Sequence, residues 1–282
     1  MKKIRLATAQ FELTNSIGRN LKAILELSNK ASTGDSRLIV FPECAVTGYP
    51  GGDMADLSSV DPKNVYDALQ RISAQAAELR MFIAAGVALP LDDRRQWTNS
   101  LIVFDDSGEQ VCSYSKTALT HSDQSFFLPG YADPVFTLEG IRFGCQICYD
   151  VRFPEGYRRL FSKGVHVVIH SYHQAGSQHW KQRRDIMTAF QRVRCSENGV
   201  YAVTSNTIGH NRGKDQWIPS MIVDPVGTVV AALDPSQTDV LMATIDAEDM
   251  IEMIELDIRE ESARQLKIDL PGKRPEPAMD IR

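Results

Sequence analysis

The sequence has no long apolar run, and only five of its 282 residues are cysteines. No segment approaches the ~18 consecutive apolar residues that a helix needs to span a bilayer, so we expect no membrane association. The N-terminal stretch turns polar again by Thr8 and Gln10, which indicates a first strand rather than a signal peptide. The cysteines are scattered along the chain and their number is odd, which argues against a disulfide framework and favours the reducing cytoplasm.

The chain also lacks a large excess of charge of either sign. Its 31 Lys and Arg residues are set against 36 Asp and Glu residues, a formal net charge of -5, which argues against a dedicated nucleic-acid binder. With 43% hydrophobic residues, no low-complexity linker and no repeat of fixed period, it is expected to be globular. We expect residues 1–268 to form one domain and the proline-containing residues 269–282 to form an extended tail on the body or at a dimer interface.

Short β-rich segments bounded by turn residues recur along the chain. They are Ile4–Gln10, Leu38–Phe41, Phe82–Leu89, Ser100–Phe104, Gln110–Tyr114, Ile141–Cys148, Val165–Ser171, Val200–Asn206, Ser220–Val223, Val229–Leu233 and Val240–Ile245. Several are almost continuously apolar, which is typical of strands covered on both faces.

Helical periodicity interrupts these strands in four places. The segments are Asn20–Leu27, Val65–Leu79 after a start at Asp61-Pro62, Trp180–Asn198, and Ala247 to about Arg264. Because both halves of the chain alternate strands with helices, the pattern predicts an α/β sandwich with helices on its outer faces around one core.

Two charged side chains follow predicted strands. Glu43 lies in Val40-Phe41-Pro42-Glu43-Cys44, where it is either a solvated strand-end residue or a carboxyl held between apolar walls as a general base. Lys116 closes Val111-Cys112-Ser113-Tyr114-Ser115-Lys116. It is either a solvated edge lysine or an inward-pointing ammonium that stabilises an oxyanion.

Cys148 follows a third apolar strand and precedes a predicted helix. Backbone N–H groups and a helix N-terminus at such a turn are expected to lower the pKa of the thiol and to bind an oxyanion. The alternative is a small buried hydrophobic cysteine. Cys145-x-x-Cys148 lies inside one strand-like segment with no second pair, which argues against redox or zinc chemistry. His166 and His170 lie in an apolar strand without fitting carboxylates, so we interpret them as core or pocket-wall residues.

Together these segments resemble the three catalytic blocks of the nitrilase superfamily of carbon–nitrogen hydrolases. The blocks are Phe41-Pro42-Glu43, Tyr114-Ser115-Lys116 and Cys148-Tyr149-Asp150-Val151-Arg152-Phe153-Pro154-Glu155. The resemblance extends over nearly the whole chain through Ala7-Thr8-Ala9-Gln10, Thr98-Asn99-Ser100, Phe127-Leu128-Pro129-Gly130, Arg194-Cys195-Ser196-Glu197-Asn198 and Asp224-Pro225-Val226-Gly227.

The resemblance implies a single-domain, four-layer α-β-β-α sandwich, usually paired as a homodimer, and no metal or organic cofactor. It implies Glu43 as general base, Cys148 as nucleophile, and Lys116 with the backbone N–H of Tyr149 as oxyanion donors. The thiolate would attack an amide carbonyl, ammonia or an amine would leave, and water would cleave the resulting thioester to the acid.

This sequence departs from the family pattern in two places. Amidase-type members often carry a second glutamate before F-x-P-G that helps to position the substrate, and Asp123 stands there with a shorter side chain. Either Asp123 fills this role with a different reach, or the pocket differs. A family histidine after the lysine corresponds to Ala118. The run Tyr149-Asp150-Val151-Arg152 is similar to that of amidase-like branches and differs from the Trp-rich version of nitrile hydrolysis, which favours an amide substrate.

Two further segments are candidates for the substrate pocket. Tyr172 and His173 follow a strand on the catalytic side and either line the acyl pocket or belong to a surface loop; Tyr49-Pro50-Gly51-Gly52 is a candidate wall or lid. The leading hypothesis is a cytoplasmic amidohydrolase of a small aliphatic or ω-amide. The alternatives are hydrolysis of N-carbamoyl amines and a non-catalytic binding role for the same fold.

Overall fold

The computed structural model describes residues 3–91, 96–174, 180–211, 214–215, 218–246 and 264. Its strands are β1 Lys3–Gln10, β2 Leu38–Val40, β3 Phe82–Pro90, β4 Trp97–Phe104, β5 Gln110–Ser115, β6 Val135–Leu138, β7 Ile141–Ile147, β8 Val167–Tyr172, β9 Tyr201–Asn206, β10 His210–Asn211, β11 Lys214–Asp215, β12 Met221–Val223, β13 Val229–Ala232 and β14 Asp239–Asp246. The α-helices are α1 Ile17–Thr33, α2 Pro62–Leu79, α3 Pro154–Ser162 and α4 Trp180–Asn198. The predicted tail at 269–282 and the helix predicted from residue 247, except for Arg264, lie outside the described residues.

The main strands form two six-stranded sheets of similar topology. The first has the order β14-β1-β2-β3-β4-β5, and the second has the order β13-β12-β9-β8-β7-β6. In each sheet three neighbouring strands are parallel, β1-β2-β3 in the first and β7-β8-β9 in the second, and the outer strands pair antiparallel. Helices α1 and α2 connect the first parallel triplet, and α3 and α4 connect the second, as the alternation in the sequence predicts.

The two sheets pack face to face, and the helices cover their outer faces. Leu6, Val40 and Tyr114 of the first sheet share one apolar core with Phe143 and Ile169 of the second sheet. Burial of this apolar surface is the main force that holds the layers together. The result is the predicted four-layer α-β-β-α sandwich in a single domain.

Capping side chains mark the starts of the first two helices. The Ser16 hydroxyl accepts a hydrogen bond from the backbone N–H of Arg19 at the start of α1. The Asp61 carboxylate accepts one from Lys63 N at 2.9 Å, ahead of α2. The predicted start at Asp61-Pro62 is confirmed, and both helices bury one apolar face against the first sheet.

Strand β6 and the paired strands β10 and β11 were not predicted from the sequence. Strand β6 has four residues and pairs with β7 at the edge of its sheet. Its buried residues alternate with more exposed ones, but four residues directly after Pro134 are too few for a convincing period of two. Strands β10 and β11 have two residues each, which carry no periodic signal.

Strands of both sheets end at one edge of the sandwich. Strand β2 ends shortly before Glu43, β5 before Lys116, β7 before Cys148 and β8 before His173. Hydrogen bonds join the sheets there; for example, Glu43 N donates to Tyr172 O at 3.2 Å, and Ser171 Oγ donates to Phe41 O at 2.8 Å. Residues far apart in sequence therefore meet at this edge. In the described part of the chain, none of the helices has the length and apolar character of a membrane span.

Candidate active site

A tight turn after β2 places Glu43 between the two sheets, where the residue is fully buried. The following residue, Cys44, has a left-handed backbone with φ of 54°. Gly86 of β3 lies directly under the turn, and a Cβ there would come within 2.2 Å of the Pro42 carbonyl oxygen. A side chain at position 86 would therefore push the turn, and Glu43 with it, out of place.

Three donors hold the Glu43 carboxylate. Asn99 Nδ2 donates to Oε1 at 2.6 Å, and Lys116 Nζ donates to the same oxygen at 2.8 Å. The backbone N–H of His173 donates to Oε2 at 2.8 Å. A carboxylate has about four acceptor positions, so among the residues that the structure describes one position on Oε2 is left for a further proton donor.

Lys116 continues directly from β5 and is held there by its backbone. Its N–H donates to Asn99 O at 2.8 Å, and its carbonyl accepts from Gly130 N at 2.9 Å. A Cβ at Gly130 would come within 2.1 Å of Ser115 O. The Phe127–Gly130 segment can therefore pack against the strand end that carries the lysine only with glycine at position 130.

The Lys116 ammonium lies between two carboxylates and is 1% exposed. Besides Glu43 it contacts Asp123 Oδ2 at 2.9 Å. Burial acts to lower the pKa of Lys116, but the charge of Glu43 and the other groups around the ammonium outweigh burial and raise the pKa well above its ordinary value. Lys116 is therefore a fixed positive charge.

Asp123 occupies the position that the sequence analysis assigned to a shortened second carboxylate. Its Oδ1 accepts a hydrogen bond from the Tyr49 hydroxyl, and its Oδ2 accepts one from Thr120 N at 2.8 Å. Burial acts to raise the pKa of Asp123, but the charge of Lys116 and these hydrogen bonds hold it below its ordinary value. Asp123 thus reaches Lys116 as a carboxylate despite its shorter side chain.

Cys148 stands at a sharp elbow where β7 ends and a short 3₁₀ helix, Cys148–Arg152, begins. Its backbone is left-handed with φ of 45°, an unfavourable conformation for a side-chain-bearing residue that surrounding contacts must maintain. The Asp150 carboxylate accepts from Ile147 N at 2.9 Å and from Ala118 N at 2.8 Å. Asp150 thereby ties the elbow to the segment that follows Lys116.

The Cys148 thiol is 8% exposed, and Gln174 Nε2 lies 3.6 Å from its sulfur. Burial raises the pKa of Cys148, the negative charge of Glu43 raises it further, and Lys116 opposes this only in part. The predicted lowering of the thiol pKa is therefore wrong, because desolvation and the adjacent carboxylate outweigh the turn that follows β7. His173 N donates to Glu43, and the next residue, Gln174, contacts the Cys148 sulfur. Lys116 also donates to Glu43, so the three groups belong to one site.

His173 belongs to a cluster on one side of the site. Its Nε2 lies 3.1 Å from Asp53 Oδ2, and the same oxygen accepts from Tyr49 N at 2.8 Å. The Tyr49 ring stacks on the His173 ring with centroids 4.6 Å apart. Burial acts to lower the pKa of His173, but the hydrogen bond and charge of Asp53 raise it above its ordinary value.

The remaining two predicted residues lie beside this cluster and the elbow. Tyr172 is buried; its carbonyl accepts the Glu43 N–H, and its hydroxyl donates to Gln191 of α4 at 2.8 Å. Tyr149 is half-buried next to Cys148, and its ring packs edge-on against Phe153. Tyr172 therefore contacts Glu43 through its backbone carbonyl, while its side chain is directed toward α4.

The sequence analysis singled out neither Asp53 nor Gln174, and it treated Asn99 and Asp150 only as parts of larger blocks. Asn99 carried a weak signal, because it lies in the short polar stretch of residues 98–100 in a strand that is otherwise apolar. Asp53 and Gln174 lie in irregular segments without periodicity, so nothing in their neighbours marks them.

The site combines a buried carboxylate, an ammonium that stays charged and a thiol. Nucleophilic acyl transfer uses such groups as general base, oxyanion donor and nucleophile. The family model described as "Carbon-nitrogen hydrolase" matches residues 5–255 of the chain. The chain belongs to the carbon–nitrogen hydrolase family. It is thus a hydrolase of carbon–nitrogen bonds, in agreement with the resemblance in its three blocks.

Other family members are similar over most of their length. An (R)-stereoselective amidase from a Pseudomonas species is 30% identical over 80% of this chain and 78% of that protein. The omega-amidase NIT2 of Xenopus tropicalis is 26% identical over 90% of this chain and 93% of that protein. An amidase from Nesterenkonia AN1, solved as an active-site variant, has a TM-score of 0.79 at 24% identity and covers 93% of this chain and 97% of that structure.

Proposed function

We propose that the protein hydrolyses the carboxamide of a small molecule, with Cys148 as the nucleophile and Glu43 as the general base. The observation that carries the proposal is the Glu43 carboxylate, which is buried and, within the described part of the chain, is bound by three donors and has one acceptor position left. The thiol that stands in the same site is protonated at rest, since its pKa is raised. It therefore needs a base in contact with it at the moment of attack.

In the first step the sulfur of Cys148 attacks the carbonyl carbon while Glu43 takes the thiol proton. The developing oxyanion lies between the Lys116 ammonium and the backbone N–H of Tyr149. The carbon–nitrogen bond then breaks, Glu43 gives its proton to the leaving nitrogen, and ammonia departs from a thioester on Cys148. The raised pKa of Lys116 supports its role as a permanent charge rather than a proton donor.

In the second step water replaces the amine. The oxygen of the water attacks the thioester carbonyl while Glu43 takes a proton from the water. Lys116 and the backbone N–H of Tyr149 again hold the oxyanion. The carbon–sulfur bond breaks, the sulfur recovers the proton from Glu43, and the carboxylic acid leaves. Asp123 and Asn99 would hold Lys116 and Glu43 in place through both steps.

We infer that the substrate is a short primary amide with a polar acyl portion, in the class of the ω-amides. The relatives named as an omega-amidase and an (R)-stereoselective amidase support an amide. The polar cluster of Tyr49, Asp53 and His173, which meets Glu43 through the His173 backbone, supports a polar acyl group. Hydrolysis of N-carbamoyl amines would use the same residues and would release carbon dioxide with ammonia.

The test is the release of ammonia and carbon dioxide from a panel of aliphatic monoamides, ω-amides of dicarboxylic acids and N-carbamoyl amines. We expect ammonia without carbon dioxide from an ω-amide and a loss of at least ~10³-fold in kcat for Cys148→Ala and for Glu43→Gln. Turnover of N-carbamoyl compounds alone would contradict the substrate class. Wild-type turnover by Cys148→Ala would contradict the proposed chemistry and favour a non-catalytic role for this site.

A further inference from the structure

A chain of buried hydrogen bonds runs under the second sheet from α4 to the catalytic elbow. Tyr172 Oη lies 2.8 Å from Gln191 Oε1, and Gln191 Nε2 lies 2.9 Å from Tyr157 Oη. Tyr157 Oη lies 2.8 Å from His170 Nδ1, and His170 Nε2 lies 3.3 Å from the carbonyl oxygen of Cys148. All four side chains of the chain are at most 1% exposed.

The direction of every bond in this chain follows from its ends. Burial lowers the pKa of His170 to about 3, so the ring is neutral at physiological pH and carries one N–H. The Cys148 carbonyl can only accept, so the proton is on Nε2 and Nδ1 accepts from the Tyr157 hydroxyl. Tyr157 then accepts from the Gln191 amide, whose oxygen accepts from Tyr172. Four donors point in one direction and end on Cys148.

The carbonyl of Cys148 and the N–H of Tyr149 belong to the same planar peptide group. A donor on that carbonyl fixes the plane of the group and therefore the direction in which the Tyr149 N–H points. It also draws electron density toward the oxygen, which strengthens the N–H as a hydrogen-bond donor, and successive donors in a chain reinforce one another. Both effects apply to the N–H that, in the proposed function, holds the oxyanion.

We propose that His170 is a positioning residue of the oxyanion site: its Nε2–H holds and polarises the Cys148–Tyr149 peptide group, with Tyr157, Gln191 and Tyr172 supporting it. The proposal rests on the proposed function, because it needs the Tyr149 N–H to stabilise an oxyanion. The left-handed backbone of Cys148 requires such a contact, because an unfavourable conformation persists only where neighbouring groups maintain it. The hydrogen bond from His170 to the Cys148 carbonyl is one of these contacts.

The same chain is connected to the general base. Tyr172 supplies the first donor through its hydroxyl, and its backbone carbonyl accepts the Glu43 N–H at 3.2 Å. The rings of His170 and Tyr172 stack with centroids 4.3 Å apart on one face of β8. One short strand thus holds the backbone of both Glu43 and Cys148.

The test compares two reactions of Cys148, of which only one builds an oxyanion. Amide hydrolysis requires the oxyanion site, whereas alkylation by iodoacetamide displaces iodide at a saturated carbon and does not. We expect His170→Phe to lower kcat about tenfold, less than the ~10²–10³-fold loss of a whole oxyanion donor. We expect KM and the alkylation rate of Cys148 to stay within about twofold, because the thiol and its base are unchanged.

Three further variants make the result specific. His170→Gln keeps a donor for the Cys148 carbonyl and is expected to recover most of kcat, and Tyr157→Phe is expected to cost less than His170→Phe. Thr204→Val is the matched control, since Thr204 pairs with His170 in the sheet, is fully buried and forms hydrogen bonds with Met221. It is expected to lower stability without changing kcat.

Nitrogen-15 NMR supplies an independent readout. We expect His170 to be the neutral Nε2–H tautomer from pH 5 to 9 and the Tyr149 amide signal to move upfield in His170→Phe. Wild-type kcat in His170→Phe, an alkylation rate that falls as much as kcat, or a His170→Gln variant as slow as His170→Phe would each overturn the inference. If one of these results is found while Cys148→Ala still loses all turnover, the inference about His170 fails and the proposed function stands.

Discussion

At the scale of single residues, the reactive thiol differs from the usual activated cysteine. Cys148 is buried beside the Glu43 carboxylate, and both effects raise its pKa, while Lys116 is already occupied by two carboxylates. The Lys116 ammonium is therefore not available to stabilise a thiolate at rest, and we expect it to stabilise the oxyanion instead. The sulfur stays protonated until Glu43 takes its proton.

A protonated resting thiol has a spectroscopic consequence. At pH 7 we expect no difference in thiolate absorbance at about 240 nm between the wild type and Cys148→Ala, because a raised thiol pKa keeps the thiolate population small. Glu43→Gln removes the adjacent negative charge and is expected to lower the thiol pKa. A full thiolate signal in the wild type at pH 7 would contradict this reading of the site.

The Tyr49 hydroxyl is expected to matter through Asp123. Tyr49→Phe removes its hydrogen bond to the carboxylate that holds Lys116, so kcat is expected to fall about 10- to 150-fold, the equivalent of the ~1.5–3 kcal/mol of one hydrogen bond to a charged group. Steady-state kinetics measures the loss. Tyr66→Phe is the matched control, since that hydroxyl donates to Pro90 O away from the site. Equal losses in both variants would refute a role in the site.

The His173–Asp53 pair is expected to make folding stability depend on pH. The pKa of His173 is raised in the folded state through Asp53. The pair therefore stabilises the fold fully below the unfolded value of about 6.5, and the contribution is lost as the pH rises through the higher folded pKa. Urea unfolding should show a difference between the wild type and Asp53→Asn that is largest near pH 5 and shrinks at alkaline pH. A difference that grows with pH would contradict it.

At the scale of elements, the site depends on close contacts between loops and neighbouring strands. Gly86→Ala would place a methyl group 2.2 Å from Pro42 O and displace the Glu43 turn. We expect a loss of ~1–3 kcal/mol in the free energy of unfolding together with a fall in kcat. Gly18→Ala in α1, where no atom lies within 4 Å of the added Cβ, should be neutral or stabilising by up to about 1 kcal/mol. Chemical denaturation measures both, and equal effects would contradict the packing argument.

The elements that the sequence predicts well are those with local periodicity. The strands from β1 to β5, the parallel strands β7 to β9 and the first helices follow from apolar alternation and from caps such as Asp61. Position at strand ends made Glu43, Lys116 and Cys148 candidates, and the resemblance to the nitrilase superfamily joined them as one predicted site. Asp53 and Gln174 could not be found this way, because their roles come from contacts with residues that lie 120 and 26 positions away in the chain. The prediction that the pKa of Cys148 is lowered was also wrong, because the burial that raises it depends on the packing of the whole site and cannot be read from the motif.

At the scale of the whole molecule, two similar half-chains meet to build one site. The first sheet supplies Glu43 and Lys116, and the second supplies Cys148 and His173. Neither sheet alone holds the complete set, so the chemistry depends on how the sandwich is packed. The homodimer stays a prediction of the family resemblance, and the placement of residues 269–282 on the body or at a dimer interface stays a prediction of their composition.

The central claim is that an amide passes through a thioester on Cys148, and the most direct test is mass spectrometry of acid-quenched enzyme during turnover of the best amide from the panel. We predict that the peptide carrying Cys148 gains the mass of the acyl group minus one hydrogen, and that Cys148→Ala yields neither this adduct nor ammonia. Ammonia release at the wild-type rate without an adduct, or an adduct on a different cysteine, would contradict the account.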